Sequence, residues 1–125
     1  MYTVIHTQHA PKAIGPYSQA ISANGFVFVS GQIPVDPATG DIAGDTIESQ
    51  TEQVLVNLRA VLEAANATMD DIVKTTCFLS DMANFAAFNE VYAKHIRNNP
   101  ARACVAVKAL PKNVLVEVEA IAVME

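Results

Sequence analysis

The chain has 125 residues, of which 51% are apolar, and a formal net charge of −5. This length predicts one domain, residues 1–125, large enough to bury a hydrophobic core. Eight scattered basic residues against thirteen acidic ones argue against nucleic acid as a partner, since phosphate binding needs clustered Lys and Arg. No apolar run is long enough to span a membrane and the first residues do not resemble a signal peptide, so a cytoplasmic location is expected.

The first part of the chain has the pattern of short strands separated by turns. Three strands are expected, at residues 2–7, 19–23 and 26–30. Asn24-Gly25 lies between the last two and predicts a two-residue hairpin. The stretch 31–44, rich in Pro, Asp and Gly, predicts a loop.

The remaining chain alternates helical and strand-like patterns. Apolar residues recur at helical spacing over 46–67, and Asp45, with Glu48 three residues on, is the predicted N-cap. Further elements are expected as a strand at 72–79, a helix at 84–97, and strands at 100–107 and 114–123.

The predicted order is therefore β-β-β-α-β-α-β-β, an α+β fold in which two helices cover one face of a six-stranded mixed sheet. Several strands are apolar on both sides, as in Phe26-Val-Phe-Val29. Two helices cannot cover both faces of such a sheet. The uncovered face predicts a homo-oligomer.

Charged side chains interrupt the two last apolar segments. Arg102 and Cys104 lie in one, and Glu117 and Glu119 in the other. An ionised group in such a strand needs a partner, because its desolvation costs several kcal/mol. Arg102 and a glutamate on a shared face would form either a structural ion pair or a functional site.

The short turn-like link between these segments favours an antiparallel hairpin. Pairing Ala109 with Val114 would set Cys104 opposite Glu119, with Arg102 one diagonal step away. A slip of one residue would instead place Arg102 and Glu119 on opposite faces.

The cysteines and histidines give little support for other chemistry. Cys77 and Cys104 lie in separate strand-like segments, which favours two free thiols and leaves a disulfide between them as the open alternative. The three histidines have no metal-ligand spacing, so no metal site is predicted.

Five further motifs stand in order between residues 7 and 123. They are Ala13-Ile-Gly-Pro-Tyr-Ser-Gln19, Ser30-Gly-Gln-Ile-Pro34, Phe88-Asn-Glu-Val-Tyr92, Pro100-Ala-Arg-Ala-Cys-Val105 and Leu110-Pro-Lys followed by Val116-Glu-Val-Glu-Ala-Ile-Ala122. Taken together, these motifs resemble the RidA family of imine deaminases, also called the ribonuclease L-PSP or translation-inhibitor family.

The resemblance implies a chorismate-mutase-like fold, assembled as a homotrimer around a central barrel with clefts between subunits. It also implies hydrolysis of 2-imino acids such as 2-iminopropanoate and 2-iminobutanoate to 2-oxo acids and ammonia, without a cofactor. The implied substrate-binding residues are Tyr17, Ser30, Gly31, Asn89, Arg102 and Cys104.

Two of these side chains suit the chemistry that imine hydrolysis requires. The planar fork of Arg102 can hold a substrate carboxylate bidentately. Glu119 is predicted to orient water and accept its proton, whereas Glu117 is interpreted as a structural or surface partner, with Lys108 as its candidate. Two alternatives stay open: the endoribonuclease activity attached to the family's name, and a non-catalytic module that binds small carboxylates and acts as a regulator or chaperone.

Overall fold

The computed structural model describes residues 1–124, which form six strands and two α-helices in the predicted order. The elements are β1 (Thr3–Ile5), β2 (Ala20–Ala23), β3 (Phe26–Gln32), α1 (Ile47–Ala64), β4 (Ile72–Leu79), α2 (Phe85–His95), β5 (Ala101–Ala106) and β6 (Val116–Val123). The predicted α+β class and mixed six-stranded sheet are confirmed.

The hairpin between β2 and β3 turns at Asn24-Gly25, as predicted. Both residues have a positive φ, 52° and 81°. The type of two-residue turn whose twist matches that of the flanking strands requires these angles. Ala23 and Phe26 are paired across it.

Helix α1 begins one residue later than predicted, with Thr46 rather than Asp45 as its N-cap. The Thr46 hydroxyl accepts the backbone N–H of Ser49 at 3.1 Å, which satisfies one of the free donors of the first turn. The helix ends at Ala64 because Asn66 takes a left-handed conformation, φ 64°.

The sheet order is β1-β2-β3-β6-β4-β5, so the predicted hairpin of the last two strands is wrong. β5 pairs in parallel with β4, and β6 lies antiparallel between β3 and β4. The crossover through α2 returns the chain parallel to β4, as parallel strands require. Residues 107–115 then carry the chain past the end of β4, so Cys104 is opposite Cys77 rather than Glu119.

One face of the sheet packs against both helices and forms the core. Buried residues alternate along β4 and β6 and meet the apolar side of α1, where Val54, Leu55 and Leu58 are fully buried. The other face is open in the single chain and exposes Phe26 and Phe28, 41% and 45% accessible. The sequence-based expectation of apolar residues on both faces therefore holds.

Candidate functional site

Arg102 lies on the edge strand β5 and is held from the helix side. Its Nη1 donates a 2.8 Å hydrogen bond to Oδ1 of Asn89. Its guanidinium carbon is 5.0 Å from the ring centroid of Tyr92 and 5.5 Å from that of Phe85. At these distances the positive charge of the guanidinium is attracted to the electron-rich faces of both rings, which is a cation–π contact.

The spacing of α2 explains why these three groups meet Arg102. Phe85, Asn89 and Tyr92 are separated by four and then three residues, so they share one side of the helix. The Tyr92 hydroxyl lies 2.7 Å from that of Thr75 on β4, a buried hydrogen bond that fixes the ring. Burial is also the main reason that the pKa of Tyr92 is raised.

No carboxylate of residues 1–124 forms a salt bridge with Arg102. The structural ion pair between Arg102 and Glu119, one of the two sequence-based interpretations, is therefore absent within the chain. The guanidinium keeps donors that one amide oxygen cannot satisfy. It is positioned, yet open to an external acceptor.

Arg102 and Glu119 lie on opposite faces of the sheet. Arg102 is paired with Thr75 and Glu119 with Thr76, and consecutive residues of a strand point to opposite sides. The predicted shared face is wrong because β4, and not a hairpin turn, sets the register of both strands.

Glu117, interpreted from the sequence as a structural or surface partner, lies beside a glycine of β3. It is half-buried on the open face, and a Cβ atom added at Gly31 would overlap its carboxylate, so this glycine leaves the space that Glu117 occupies. Burial, with a smaller contribution from Glu119, raises the pKa of Glu117. Glu119 is exposed in the single chain, contrary to the buried group expected.

Gly31, predicted to begin the loop 31–44, instead lies in β3, and its missing side chain leaves room for Glu117. Only the pairing of β3 with β6 shows which glutamate faces that glycine. The predicted pairing of Glu117 with Lys108 is not among the salt bridges of residues 1–124.

A cleft of about 560 Å³ adjoins Gly31 on the N-terminal side of the sheet, and Tyr17 also lines it. Tyr17 is 50% exposed, and its hydroxyl accepts the Ile14 N–H at 3.3 Å. The buried Gln19 amide fixes the surrounding segment through Thr7 and Pro11, at 2.7 Å and 2.9 Å.

Ser30 supports this wall without lining the cleft. Its hydroxyl donates to the Ser18 carbonyl at 2.6 Å, and its N–H donates to the Gln19 carbonyl at 3.0 Å. Both bonds join the end of β3 to the segment that carries Tyr17.

Cys104 is partly buried on the same side of β5 as Arg102. Burial raises the pKa of its thiol, with Arg102 opposing the shift, so the group is predominantly protonated at neutral pH. This favours a wall of the site over a nucleophile.

The predicted site residues thus form two groups that one chain does not bring together. Asn89, Arg102 and Cys104 lie at the β5 edge, and Tyr17 and Gly31, supported by Ser30, lie beside the N-terminal cleft. Within residues 1–124, His, Cys, Asp and Glu form no cluster suited to a metal ion. None of the helices described is long and apolar enough to cross a membrane.

Comparisons with known proteins agree over almost the whole chain. Residues 7–124 match the family described as Endoribonuclease L-PSP. The RutC family protein PH0854 of Pyrococcus horikoshii is 54% identical over 126 residues, covering 100% of both chains.

Solved structures give the same match. YyfA of Yersinia pestis, a protein of unknown function of the conserved Rid family, has a TM-score of 0.96 at 51% identity, covering 99% of this chain and 100% of its own. TdcF of E. coli, solved with bound serine, has a TM-score of 0.93 at 45% identity, covering 98% and 99% of the two chains.

Proposed function

Since the chain belongs to the Endoribonuclease L-PSP family, which includes the Rid proteins, we propose that it is a cofactor-independent hydrolytic deaminase of 2-imino and enamino acids. Its substrates would be small, such as 2-iminopropanoate and 2-iminobutanoate, and its products the 2-oxo acid and ammonia. The observation that carries this proposal is Arg102, held by Asn89 and two aromatic rings yet without a carboxylate partner among the residues described.

Arg102 would bind the substrate carboxylate. A guanidinium fork makes two parallel, charge-assisted hydrogen bonds to a carboxylate, and its contacts with α2 fix its direction before binding. The serine bound to TdcF is a small amino acid with such a carboxylate, which supports this ligand class.

Glu117 would transfer protons between the attacking water and the substrate. The water oxygen bonds to the imine carbon while one water proton passes through Glu117 to the imine nitrogen, giving a carbinolamine. The hydroxyl proton then passes through Glu117 to the same nitrogen, the C–N bond breaks, and ammonia leaves the 2-oxo acid. A half-buried carboxyl with a raised pKa suits both acceptance and return of a proton.

This role replaces the one first given to Glu119. Glu117 faces Gly31, at the wall of the N-terminal cleft, whereas Glu119 is exposed and paired with Thr76 further along the sheet. Glu119 would then influence the reaction through its negative charge, which raises the pKa of Glu117.

The complete site would lie between subunits of a homotrimer. Arg102 and Glu117 lie on opposite faces of one sheet, so a site that contains both needs a second copy of the chain. The exposed Phe26 and Phe28 on the open face offer apolar area for such an assembly, with the sheets around a central barrel.

The proposal is tested by generating 2-iminopropanoate in situ and measuring the rate of pyruvate release above the rate without protein. Wild type should accelerate release, and Arg102→Ala and Glu117→Gln should each abolish the acceleration. Arg102→Lys is the matched variant: it keeps the charge but loses the bidentate fork, and we expect it to recover little activity.

The other outcomes identify the competing functions. An inert wild type that still binds small carboxylates through Arg102 would indicate a binding module. Cleavage of RNA that requires Arg102, without imine hydrolysis, would indicate a ribonuclease. Either result would contradict the proposed deaminase.

A further inference from the structure

The two cysteines, far apart in sequence, are neighbours in the fold. Cys77 on β4 and Cys104 on β5 are directly paired in the parallel register. Adjacent strands lie roughly 4.8 Å apart, and disulfides join Cα atoms about 4.4–6.8 Å apart. Directly paired residues point to the same face, so both thiols are on the helix side of the sheet.

The two thiols differ in access. Cys77 is fully buried in the core, and its Sγ lies 3.8 Å from the Thr75 hydroxyl, whereas Cys104 is partly exposed on the edge strand. An oxidant can therefore reach Cys104 directly, while Cys77 is shielded from solvent behind it. An accessible sulfur beside a second thiol is the arrangement in which a first oxidation product is resolved as a disulfide.

We propose that Cys104 and Cys77 form an intramolecular oxidation site for hydrogen peroxide, with a β4–β5 disulfide as its product. The Cys104 sulfur attacks one peroxide oxygen, the O–O bond breaks, and the sulfur becomes a sulfenic acid while water leaves. The Cys77 sulfur then attacks that of Cys104, the S–O bond breaks and a second water leaves. Overall the peroxide is reduced by two electrons and the protein loses two hydrogen atoms.

The surroundings of the thiols set the conditions of the reaction. Burial raises the pKa of Cys77 to about 12 and also raises that of Cys104, which keeps the thiolate fraction small at neutral pH. Oxidation therefore needs excess hydrogen peroxide and time. The inference stands apart from the proposed deaminase activity, because its product is detected on the protein itself.

The test treats the folded, reduced protein with hydrogen peroxide and maps its peptides by mass spectrometry without reduction. We expect a cross-linked peptide pair that contains Cys77 and Cys104, a chain mass lower by two hydrogen atoms, and recovery of both thiols with dithiothreitol. Far-UV circular dichroism before and after treatment checks that the fold persists.

Variants assign the order of events. In Cys77→Ala, Cys104 has no resolving partner, so it should be trapped as a dimedone adduct or gain oxygen atoms; Cys77→Val serves if the alanine variant does not fold. In Cys104→Ala, the buried Cys77 should stay reduced under the same treatment.

Several results would overturn the site. In wild type, Cys104 could gain oxygen atoms while Cys77 stays free, or a disulfide could form between two chains instead of within one. Absence of any reaction of wild type would be the third such result. Rapid oxidation of Cys77 in Cys104→Ala would refute the order in which Cys104 reacts first.

Discussion

The β5 edge and the open face of the sheet hold their charged groups in different ways. At the edge, Arg102 is fixed by a hydrogen bond and two aromatic rings that all belong to the same chain. On the open face, Glu117 and Glu119 lie on the same surface as exposed Phe26 and Phe28 and have no cationic partner among the residues described.

The difference indicates which half of the site a single chain completes. The arginine is held by packing within its own chain. The carboxylates lie on a surface whose apolar part is unfavourable in water, so their final environment depends on what covers that face. A second copy would supply the cover and the missing half at once.

The largest expected effect tests this division directly. Arg102→Ala should lose at least about 100-fold in kcat/KM, since it removes two hydrogen bonds to a charged group that contribute roughly 1.5–3 kcal/mol each. Glu117→Gln should lose about 100- to 10,000-fold, the usual contribution of general acid–base catalysis. If a site takes Arg102 from one subunit and Glu117 from the next, mixed assemblies of the two inactive variants should recover about a quarter of wild-type activity, from head-to-tail pairing at random.

The mixture should be unfolded and refolded together, with separately refolded variants combined afterwards as the control. Activity in the joint refolding alone would support shared sites. When the double variant Arg102→Ala with Glu117→Gln is refolded with an equal amount of wild type, about a quarter of the sites should stay active if the two groups come from different subunits, and about half if they come from one subunit. Failure to recover activity from joint refolding would place both groups in one subunit's site.

A second prediction concerns the space that Gly31 leaves. Gly31→Ala would drive a Cβ into the Glu117 carboxylate, whereas a Cβ at Gly15 would meet only the Tyr17 ring at ordinary contact distance, 3.5 Å. We expect Gly31→Ala to lower the free energy of unfolding by about 1–3 kcal/mol and to reduce imine hydrolysis, with Gly15→Ala much milder. Thermal unfolding measures the stability of the two variants, and pyruvate release measures their activity. Equal losses in Gly31→Ala and Gly15→Ala would show that Gly31 has no special relation to Glu117.

The sequence was sufficient for the elements whose pattern is local. β4 was predicted at its observed bounds, because turn signals flank an apolar run. The Asn24-Gly25 hairpin follows from backbone conformation alone. The N-cap of α1 is Thr46 and not the predicted Asp45. Which of the two side chains reaches a free N–H depends on the geometry of the preceding loop, which the sequence does not show.

The site was predicted less completely, because its geometry depends on non-local strand pairing. A hairpin was inferred from the link between β5 and β6, but β4 lies between them. That one difference moved Arg102 to the face opposite Glu119, brought Cys104 beside Cys77, and left Glu117 as the residue against Gly31. The candidate residue types are visible in the sequence, but which of them are neighbours depends on the order of the strands.

A third, smaller effect concerns the ring that supports Arg102. Tyr92→Leu removes a cation–π contact of roughly 0.5–2 kcal/mol, so the substrate KM should rise between about 2- and 30-fold. Tyr92→Phe keeps the ring and loses the hydrogen bond to Thr75, so it should lower the free energy of unfolding by about 1 kcal/mol with little change in KM.

The two readouts separate support of Arg102 from support of the fold. Carboxylate affinity, measured by KM or by titration calorimetry, and chemical unfolding should respond to different variants. If Tyr92→Phe raises KM as much as Tyr92→Leu does, the hydroxyl and not the ring positions Arg102.

The smallest effect separates the two glutamates of the open face. Burial is the main cause of the raised pKa of Glu117, and the neighbouring charge of Glu119 adds to it. Glu119→Gln removes only the second cause, so the pKa of Glu117 should fall towards its ordinary value. Because Glu117 must be ionised to accept a proton, activity declines as the pH drops through this pKa, and the acid limb of kcat/KM should move to lower pH in Glu119→Gln. Wild type and Glu119→Gln act on the same substrate, so a shift of the acid limb reflects a changed pKa in the protein and not in the substrate. Loss of activity at every pH would instead assign the proton transfer to Glu119.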